Sequence, residues 1–173
     1  MLASQWAGAG LIIGASTLLG WQVAAGYARR PGQLRELQTA CAILQTEVEY
    51  ATPLPAALSA AAGAVSEPVC GLLRAAARAL TRGDGITPGE ALMSAIQAEG
   101  RETALKQTDL AVLAALAPVL GISGRSDQVR HLQLARERLA GEEARAQEER
   151  NRYERVARYL GVLGGALVVM LLL

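Results

Sequence analysis

The sequence predicts an all-α protein, in which a cytoplasmic bundle of about six helices lies between an N-terminal and a C-terminal transmembrane helix. Of the 173 residues, 51% are hydrophobic and only 3% aromatic, and both ends of the chain are free of charge. Between those ends, apolar residues recur at helical spacing and never alternate as they do in strands. We therefore divide the chain into an N-terminal span at 1–28, a helical domain at 29–158 and a C-terminal span at 159–173.

The N-terminal segment contains a stretch from Trp6 to Tyr27 without a charged residue. A helix rises about 1.5 Å per residue, so this stretch is long enough for the roughly 30 Å of hydrocarbon in a bilayer. Trp6 and Tyr27 would then lie at the two interfaces, where amphipathic rings are enriched. A cleaved signal peptide is the alternative, but no basic residue precedes the apolar stretch, as such a peptide requires.

The C-terminal segment after Arg158 is uncharged but shorter, and covers about 22 Å as a helix. Arg155 and Arg158 extend it if their side chains snorkel to the interface. A buried or interfacial tail is the alternative for a stretch of this length. Basic residues flank both segments on the side of the middle domain, so the positive-inside rule predicts that the domain faces the cytoplasm.

Each predicted span carries two glycines spaced four residues apart. These are Gly10 with Gly14 and Gly161 with Gly165. On a helix, such a pair clears one face for close approach of another backbone, so we expect the two spans to pack on each other. The abundance of small residues in this chain offers a simpler explanation of the same spacing.

The first three helices of the middle domain follow from apolar spacing. Intervals of three and four predict the first helix at about 32–51, with a buried stripe of Leu34, Leu37, Cys41, Leu44 and Val48. We expect Thr52 to cap the second helix, with Pro53 at its first position. Ser66 is expected to begin the third.

The last three helices follow from capping and stop signals. Thr87 and Glu90 form a capping-box pattern, so the fourth helix is expected to begin at Pro88 and to end near Gly100. Thr108 and Asp109 are expected to start the fifth, and the glycines at 121 and 124 to stop it. Ser126 is expected to cap the last helix.

The last helix is expected to continue unbroken into the membrane, because apolar residues recur every seven positions along it. The members of this series are Leu132, Leu139, Ala146, Tyr153, Leu160 and Leu167. Its segment from Glu142 to Arg155 is almost wholly charged, which suits a solvated rod between bundle and membrane. Such a rod either binds a partner or simply faces water.

The sequence offers no catalytic, cofactor-binding or metal site. His131 is the single histidine and has no thiol or second imidazole at metal-ligand spacing. Cys41 and Cys70 are expected to be reduced core residues, and Lys106 follows no phosphate-binding glycine loop. A net charge of +1 disfavours nucleic acid as a partner, and no small-molecule substrate is indicated.

Five segments in order resemble the stage III sporulation protein AB family. They are RPGQLREL at 30–37, TPLPAAL at 52–58, TALKQTDLAVL at 103–113, GRSDQVRHL at 124–132 and LGVLGG at 160–165. The family is similar to the cytoplasmic helical domain of the F-type platform proteins of type II secretion and type IV pilus machines. Those proteins carry two such domains and three spans, whereas this chain has one domain between two spans.

The resemblance implies a place in the channel complex that joins mother cell and engulfed forespore in a sporulating bacterium. The implied partners are a cytoplasmic secretion-type ATPase and other membrane proteins of that complex. Multi-pass insertion would leave the middle domain in the mother-cell cytoplasm. The leading hypothesis is thus a non-enzymatic membrane-anchored assembly or coupling subunit. The alternatives are a self-associating adaptor, in which the charged rod forms a coiled coil without a motor, and an exported enzyme.

We expect the partner-binding surface on the polar face of the first soluble helix, away from its buried stripe, and on the adjoining turn. Its residues are Gln33, Arg35, Glu36, Glu47 and Glu49. Ordinary solvated charge is the alternative, since every surface helix has a wet face. The position of this face just beneath the membrane and the strength of the resemblance over 30–37 favour docking.

Overall fold

The computed structural model describes residues 28–82 and 85–172. These residues form six α-helices and one short 3-10 helix, with no strand among them, so the all-α prediction is confirmed. The helices are α1 at 28–49, α2 at Leu54–Gly63, α3 at Val69–Thr81, α4 at Pro88–Glu99, α5 at Gln107–Ala114 and α6 at Arg125–Leu172, and the 3-10 helix at Gly100–Glu102 follows α4.

The core is built from leucine and alanine, as the spacing predicts. All five members of the α1 stripe are buried, and the heptad positions of α6 at 132, 139 and 146 are buried as well. Alanines complete the core on α2 and α3, where Ala57, Ala61 and Ala76 are fully enclosed. Small side chains let these short helices approach one another closely, so the bundle needs no aromatic residue in its core.

The bundle has two ends, which we call the tip and the base. At the tip, the end of α1 meets the starts of α2 and α6 around a cleft that Val48, Leu54 and Arg125 help to line. Gly121 belongs to this end and adopts a φ of 73°. A Cβ there would lie 2.6 Å from Cγ of Pro88, so the start of α4 also lies at the tip. The base is the opposite end, where residue 28 enters α1.

Several predicted helix boundaries are wrong by a few residues. Thr52 does not cap α2, because Ala51 turns the chain with a φ of 59° and Pro53 takes the N-cap position. Similarly, α3 begins at Val69 after Pro68, well beyond Ser66. Ser126 lies inside the first turn of α6.

The fourth and fifth helices show what capping residues contribute. The capping box of α4 is confirmed, since Thr87 Oγ1 accepts from Glu90 N at 3.2 Å and Glu90 Oε2 accepts from Thr87 N at 2.8 Å. The fifth helix ends earlier than expected, at Ala114. Leu116 and Leu120 follow in turns and are nevertheless buried.

The two predicted spans have different outcomes. The N-terminal one, with Gly10 and Gly14, lies outside the described residues. As predicted, α6 continues without a break, here to Leu172. Within 28–82 and 85–172, however, no helix is long and apolar enough to cross a membrane. The C-terminal span at 159–173 is therefore not confirmed.

Candidate functional site

Polar side chains join α1 to α6 along the predicted partner-binding helix. Nε of Arg35 donates to Oε1 of Glu143 at 3.1 Å, and Nε2 of Gln38 donates to Oε2 of the same carboxylate at 2.7 Å. Nearer the tip, Nη1 of Arg136 donates to Oε1 of Gln45 at 3.5 Å. One flank of α1 is therefore occupied by α6.

At the base, Arg30 is buried among three carboxylates from two other helices. Its Nε and Nη2 donate to the two oxygens of Asp109, each at 2.8 Å. Nη2 also donates to Glu142, and Nη1 donates to Glu149, each at 3.1 Å. Only 3% of the Arg30 side chain and none of the Asp109 side chain is exposed. One guanidinium thus bonds the starts of α1 and α5 to the middle of α6.

Three further contacts fix the segment that precedes α5. Nζ of Lys106 lies 2.8 Å from both oxygens of Glu149, and its backbone N–H donates to Oδ2 of Asp109 at 2.8 Å. The backbone N–H of Ala104 donates to Oε1 of Gln33 at 2.7 Å. We call Arg30, Lys106, Asp109, Glu142 and Glu149 the Arg30 cluster.

The Arg30 cluster has the properties of a structural ion-pair network. Arg145 also donates to Glu142, at 2.7 Å, so three cations face three carboxylates. Hydrogen bonding to Asp109 raises the pKa of the Arg30 guanidinium, although burial acts in the opposite direction. Within the described part of the chain, no buried side-chain nitrogen or oxygen lacks a partner. The cluster therefore needs no ligand to complete it.

The sequence analysis missed this cluster, although helical spacing signals it. Arg30 lies four residues before Leu34 and so continues the buried stripe of α1. Glu142 and Glu149 each follow a buried heptad position of α6 by three residues. The expectation of a solvated rod from Glu142 to Arg155 is wrong over its first half, because Glu142, Glu143 and Glu149 bond to α1 or α5.

The predicted partner-binding residues do not share one exposed face. Gln33 is only 8% exposed and is bonded to Ala104, so its assignment to a wet face is wrong. Arg35 is 69% exposed but pairs with Glu143. Glu36 and Glu47 are half-buried, whereas Glu49 is exposed beside Gln45 near the tip. Gly161 and Gly165 lie in α6, and their packing stays a prediction.

The remaining reactive groups do not form a site together. Cys41 is buried, and its burial raises the pKa of the thiol to about 12. Cys70 is also buried and accepts from Nη2 of Arg74 at 2.8 Å, while His131 is exposed. Among the residues that the structure describes, no three His, Cys, Asp or Glu side chains are grouped to hold a metal ion.

Comparison with known proteins agrees with this fold. Residues 5–173 match the family described as Stage III sporulation protein AB. The chain is 32% identical over 167 residues to the Stage III sporulation protein AB of Bacillus subtilis (strain 168), covering 96% of this chain and 97% of that protein. A solved structure of Stage III sporulation protein AB (SpoIIIAB) superimposes with a TM-score of 0.67 at 30% identity, over 71% of this chain and 97% of the other.

The chain belongs to the stage III sporulation protein AB family. The match extends over the predicted end segments as well as the bundle, since it runs from residue 5 to residue 173. The resemblance drawn from five sequence segments is thereby confirmed.

Proposed function

We propose that this protein is a non-enzymatic, membrane-anchored coupling subunit of the sporulation channel complex between mother cell and forespore. Its middle domain would dock a cytoplasmic secretion-type ATPase, and its ends would hold it beside other membrane proteins of the complex. Membership of the stage III sporulation protein AB family supports this role. The protein would lie in the mother-cell-derived membrane around the forespore, with the middle domain facing the mother-cell cytoplasm.

The observation that carries the anchoring proposal is the contact between Arg30 and Glu149 at 3.1 Å. Arg30 lies two residues after the end of the predicted N-terminal span at residue 28, and Glu149 precedes the predicted C-terminal span. Residue 28 and Glu149 thus lie at the base of the bundle, from which both predicted spans would leave. Two spans can then enter the same membrane from one side, as the basic flanks require.

A reporter experiment tests this topology. An activity reporter fused after Leu173 should lie across the membrane from one inserted at Gly83, because the basic flanks hold the middle domain inside. A reporter inserted at Gly124 serves as the control, since this residue is exposed in the connection that precedes α6. It should report the same side as Gly83. A cytoplasmic reporter at Leu173 would refute the two-span proposal and make the tail interfacial.

We place ATPase docking on the part of α1 that α6 leaves accessible, with Arg35, Glu36, Glu47 and Glu49 as its charged residues. Such rim charges mainly set association rate and salt dependence. Arg35 has a structural task as well, so its reversal alone would also break the pair with Glu143. Arg35→Glu combined with Glu143→Arg keeps an ion pair between the helices while inverting the accessible charge.

A double charge reversal tests the docking surface without disturbing α6. Glu36→Arg with Glu49→Arg should reduce capture of the co-expressed ATPase about tenfold and lower spore yield. Glu137→Arg with Glu148→Arg is the matched control, because both residues are exposed on α6 and the charge change is the same. Normal capture by the α1 variant would refute this placement. Equal loss in both variants would show a general charge effect and would also refute it.

The self-associating adaptor is a weaker alternative. Much of the charged segment of α6 is bonded within the same chain and is not available for a coiled coil. Tyr153 and Val156 are 45% and 47% exposed beyond that region, and these two side chains would have to form the seam. If Tyr153→Ser with Val156→Ser abolished self-association but left ATPase capture unchanged, the adaptor would gain support over the coupling subunit.

A further inference from the structure

A row of arginines runs along α3 and its C-cap. Arg74, Arg78 and Arg82 follow one another at four-residue intervals and are all exposed. Arg74 pairs with Glu67 at 3.3 Å, whereas Arg78 and Arg82 make no ion pair within the described part of the chain. Glu67 is the single acid in residues 53–82, and the Glu99 carboxylate of α4 lies near Gly71 beside it, so the unpaired positive charge of this face lies at Arg78 and Arg82.

The arginine row borders a groove between α2 and α3. The groove has a volume of about 330 Å³ and is lined by Ser59, Arg74, Ala77, Arg78, Thr81 and Arg82. α2 contains no charged residue, and its exposed positions are Ala56, Ser59, Ala60 and Gly63. A Cβ at Gly63 would meet nothing within 4 Å. One wall of the groove is therefore smooth and uncharged, and the other is basic.

We infer that this groove is a docking site for an acidic helix of another protein. Small residues on α2 permit a third helix to approach at the short end of the usual interaxial range of about 8–10 Å. Four residues along α3 correspond to about 6 Å, so carboxylates repeated every four residues on a partner helix match the arginine row. Guanidinium groups bind carboxylates in a planar, two-pronged geometry, which makes arginine better suited than lysine to this task.

The surroundings of the groove distinguish a protein helix from other anions. Single-stranded nucleic acid is usually held by aromatic side chains that stack on bases, and residues 53–82 contain no Trp, Tyr or Phe. In the proposed function the base of the bundle faces the membrane, so anionic lipid would contact the base and not the groove; this step rests on the proposed function. Arg82 is the C-cap of α3, and the chain continues from it to Pro88 at the tip. The tip and the base are separated by the length of α1, about 30 Å, which is several Debye lengths at physiological salt.

Peptide binding to the full-length protein in a nonionic detergent tests the inference. The probe is a fluorescent alanine-based helical peptide of about 20 residues with Glu at every fourth position. The comparison peptide carries Gln at those positions. The Glu peptide should bind at least about tenfold more tightly, and salt should weaken it. The assay needs neither ATPase nor spores, so its failure is distinct from failure of the proposed function.

Variants of the chain localise the binding. Arg78→Gln with Arg82→Gln should weaken binding of the Glu peptide about tenfold. Ser59→Leu should also weaken its binding, because the leucine side chain fills the groove without changing its charge. Arg130→Gln with Arg138→Gln, both exposed on α6, is the matched control and should bind normally. Circular dichroism checks that each variant is folded.

Four results would overturn the inference. The first is equal binding of the Glu and Gln peptides. The second is unchanged binding by the Arg78 and Arg82 double variant. The third is tighter binding of a single-stranded RNA oligonucleotide that depends on the same arginines, which would assign the row to nucleic acid. Loss of self-association in the double variant, with no peptide binding, would assign the groove to a second copy and would also refute the inference.

Discussion

Removal of Arg30 is expected to destabilise the bundle far more than removal of an exposed arginine on the same helix. Arg30→Met takes away four hydrogen bonds and leaves Asp109, which is fully buried, without its cation. Removing one partner of a buried ion pair typically costs about 3–5 kcal/mol, because the remaining charge is uncompensated. That cost corresponds to a change of roughly 150-fold to 4,000-fold in the unfolding equilibrium.

Arg35→Met is the matched control on α1. Arg35 is 69% exposed and pairs with a partly exposed carboxylate, so its loss should cost only about 0.2–1 kcal/mol. Pulse proteolysis in urea measures both variants in the full-length protein. With a urea dependence of about 2 kcal/mol/M, in the middle of the usual range, Arg30→Met should lower the midpoint by about 2 M, and Arg35→Met by at most about 0.5 M.

A double variant separates the ion pair from simple loss of packing. Arg30→Met with Asp109→Asn removes both charges, while the amide oxygen can still accept from the backbone N–H of Lys106. We expect this double variant to be more stable than the sum of the two single costs predicts, because the charges are coupled. Additive costs, or an Arg30→Met midpoint equal to that of Arg35→Met, would show that the Arg30 cluster does not hold the base together.

Three further predictions concern a thiol, a cap and the end segments. In a Cys70→Ala background, Cys41 should react slowly with iodoacetamide at pH 8 until urea unfolds the chain, because burial raises the pKa of its thiol to about 12. The stability that the protein gains by keeping this thiol neutral is present below about pH 9 and is lost as the pH rises towards about 12. Rapid labelling of the folded protein would contradict this. Thr87→Ala should cost about 1 kcal/mol by urea midpoint, with Thr87→Ser as the conservative control. Hydrogen bonds from Thr87 lower the pKa of Glu90, so the stabilisation from this capping box is present above the ordinary pKa of glutamate and is lost as the pH falls through the lowered pKa of Glu90. If Glu90→Gln left the loss of stability at acidic pH unchanged, that result would argue against this prediction. Gly14→Leu or Gly161→Leu should weaken assembly of the full-length protein by crosslinking and leave the bundle protease-resistant, whereas Gly141→Leu, where a Cβ meets open space, should change neither. Normal assembly of both span variants would show that the glycine spacing reflects only the abundance of small residues in this chain.

Helix identity followed from the sequence because it depends on local patterns. Successive members of the buried stripe of α1 are three or four residues apart, and the two partners of the Thr87 capping box are three apart. Both patterns are confirmed. Helix starts were harder to predict where several capping candidates stand close together. At the start of α2, the left-handed conformation of Ala51 decides the boundary, and no rule based on residue type would assign that conformation to alanine.

The Arg30 cluster could not be predicted as a contact, because its members are far apart in sequence. Arg30 lies 79 residues from Asp109 and 119 from Glu149. Spacing indicates that Arg30 shares the buried face of α1, but it does not identify which helix supplies the counter-charge. Gln33 shows the same limit, since its buried state depends on the backbone N–H of Ala104 in a segment between helices.

Internal pairing also changes which charges the base presents to its surroundings. Of the acidic side chains described between 142 and 156, Glu148 is exposed and Glu149 is 37% exposed, whereas Glu142 and Glu143 are mostly buried; Glu142, Glu143 and Glu149 all bond within the bundle. Arg29, Arg152 and Arg155 remain exposed near the predicted spans. The acids of the Arg30 cluster and their cations are paired with one another, so Arg29, Arg152 and Arg155 are the basic residues that the base presents to its surroundings. Exposed basic flanks are what the positive-inside rule requires, and they are consistent with the proposed cytoplasmic position of the middle domain.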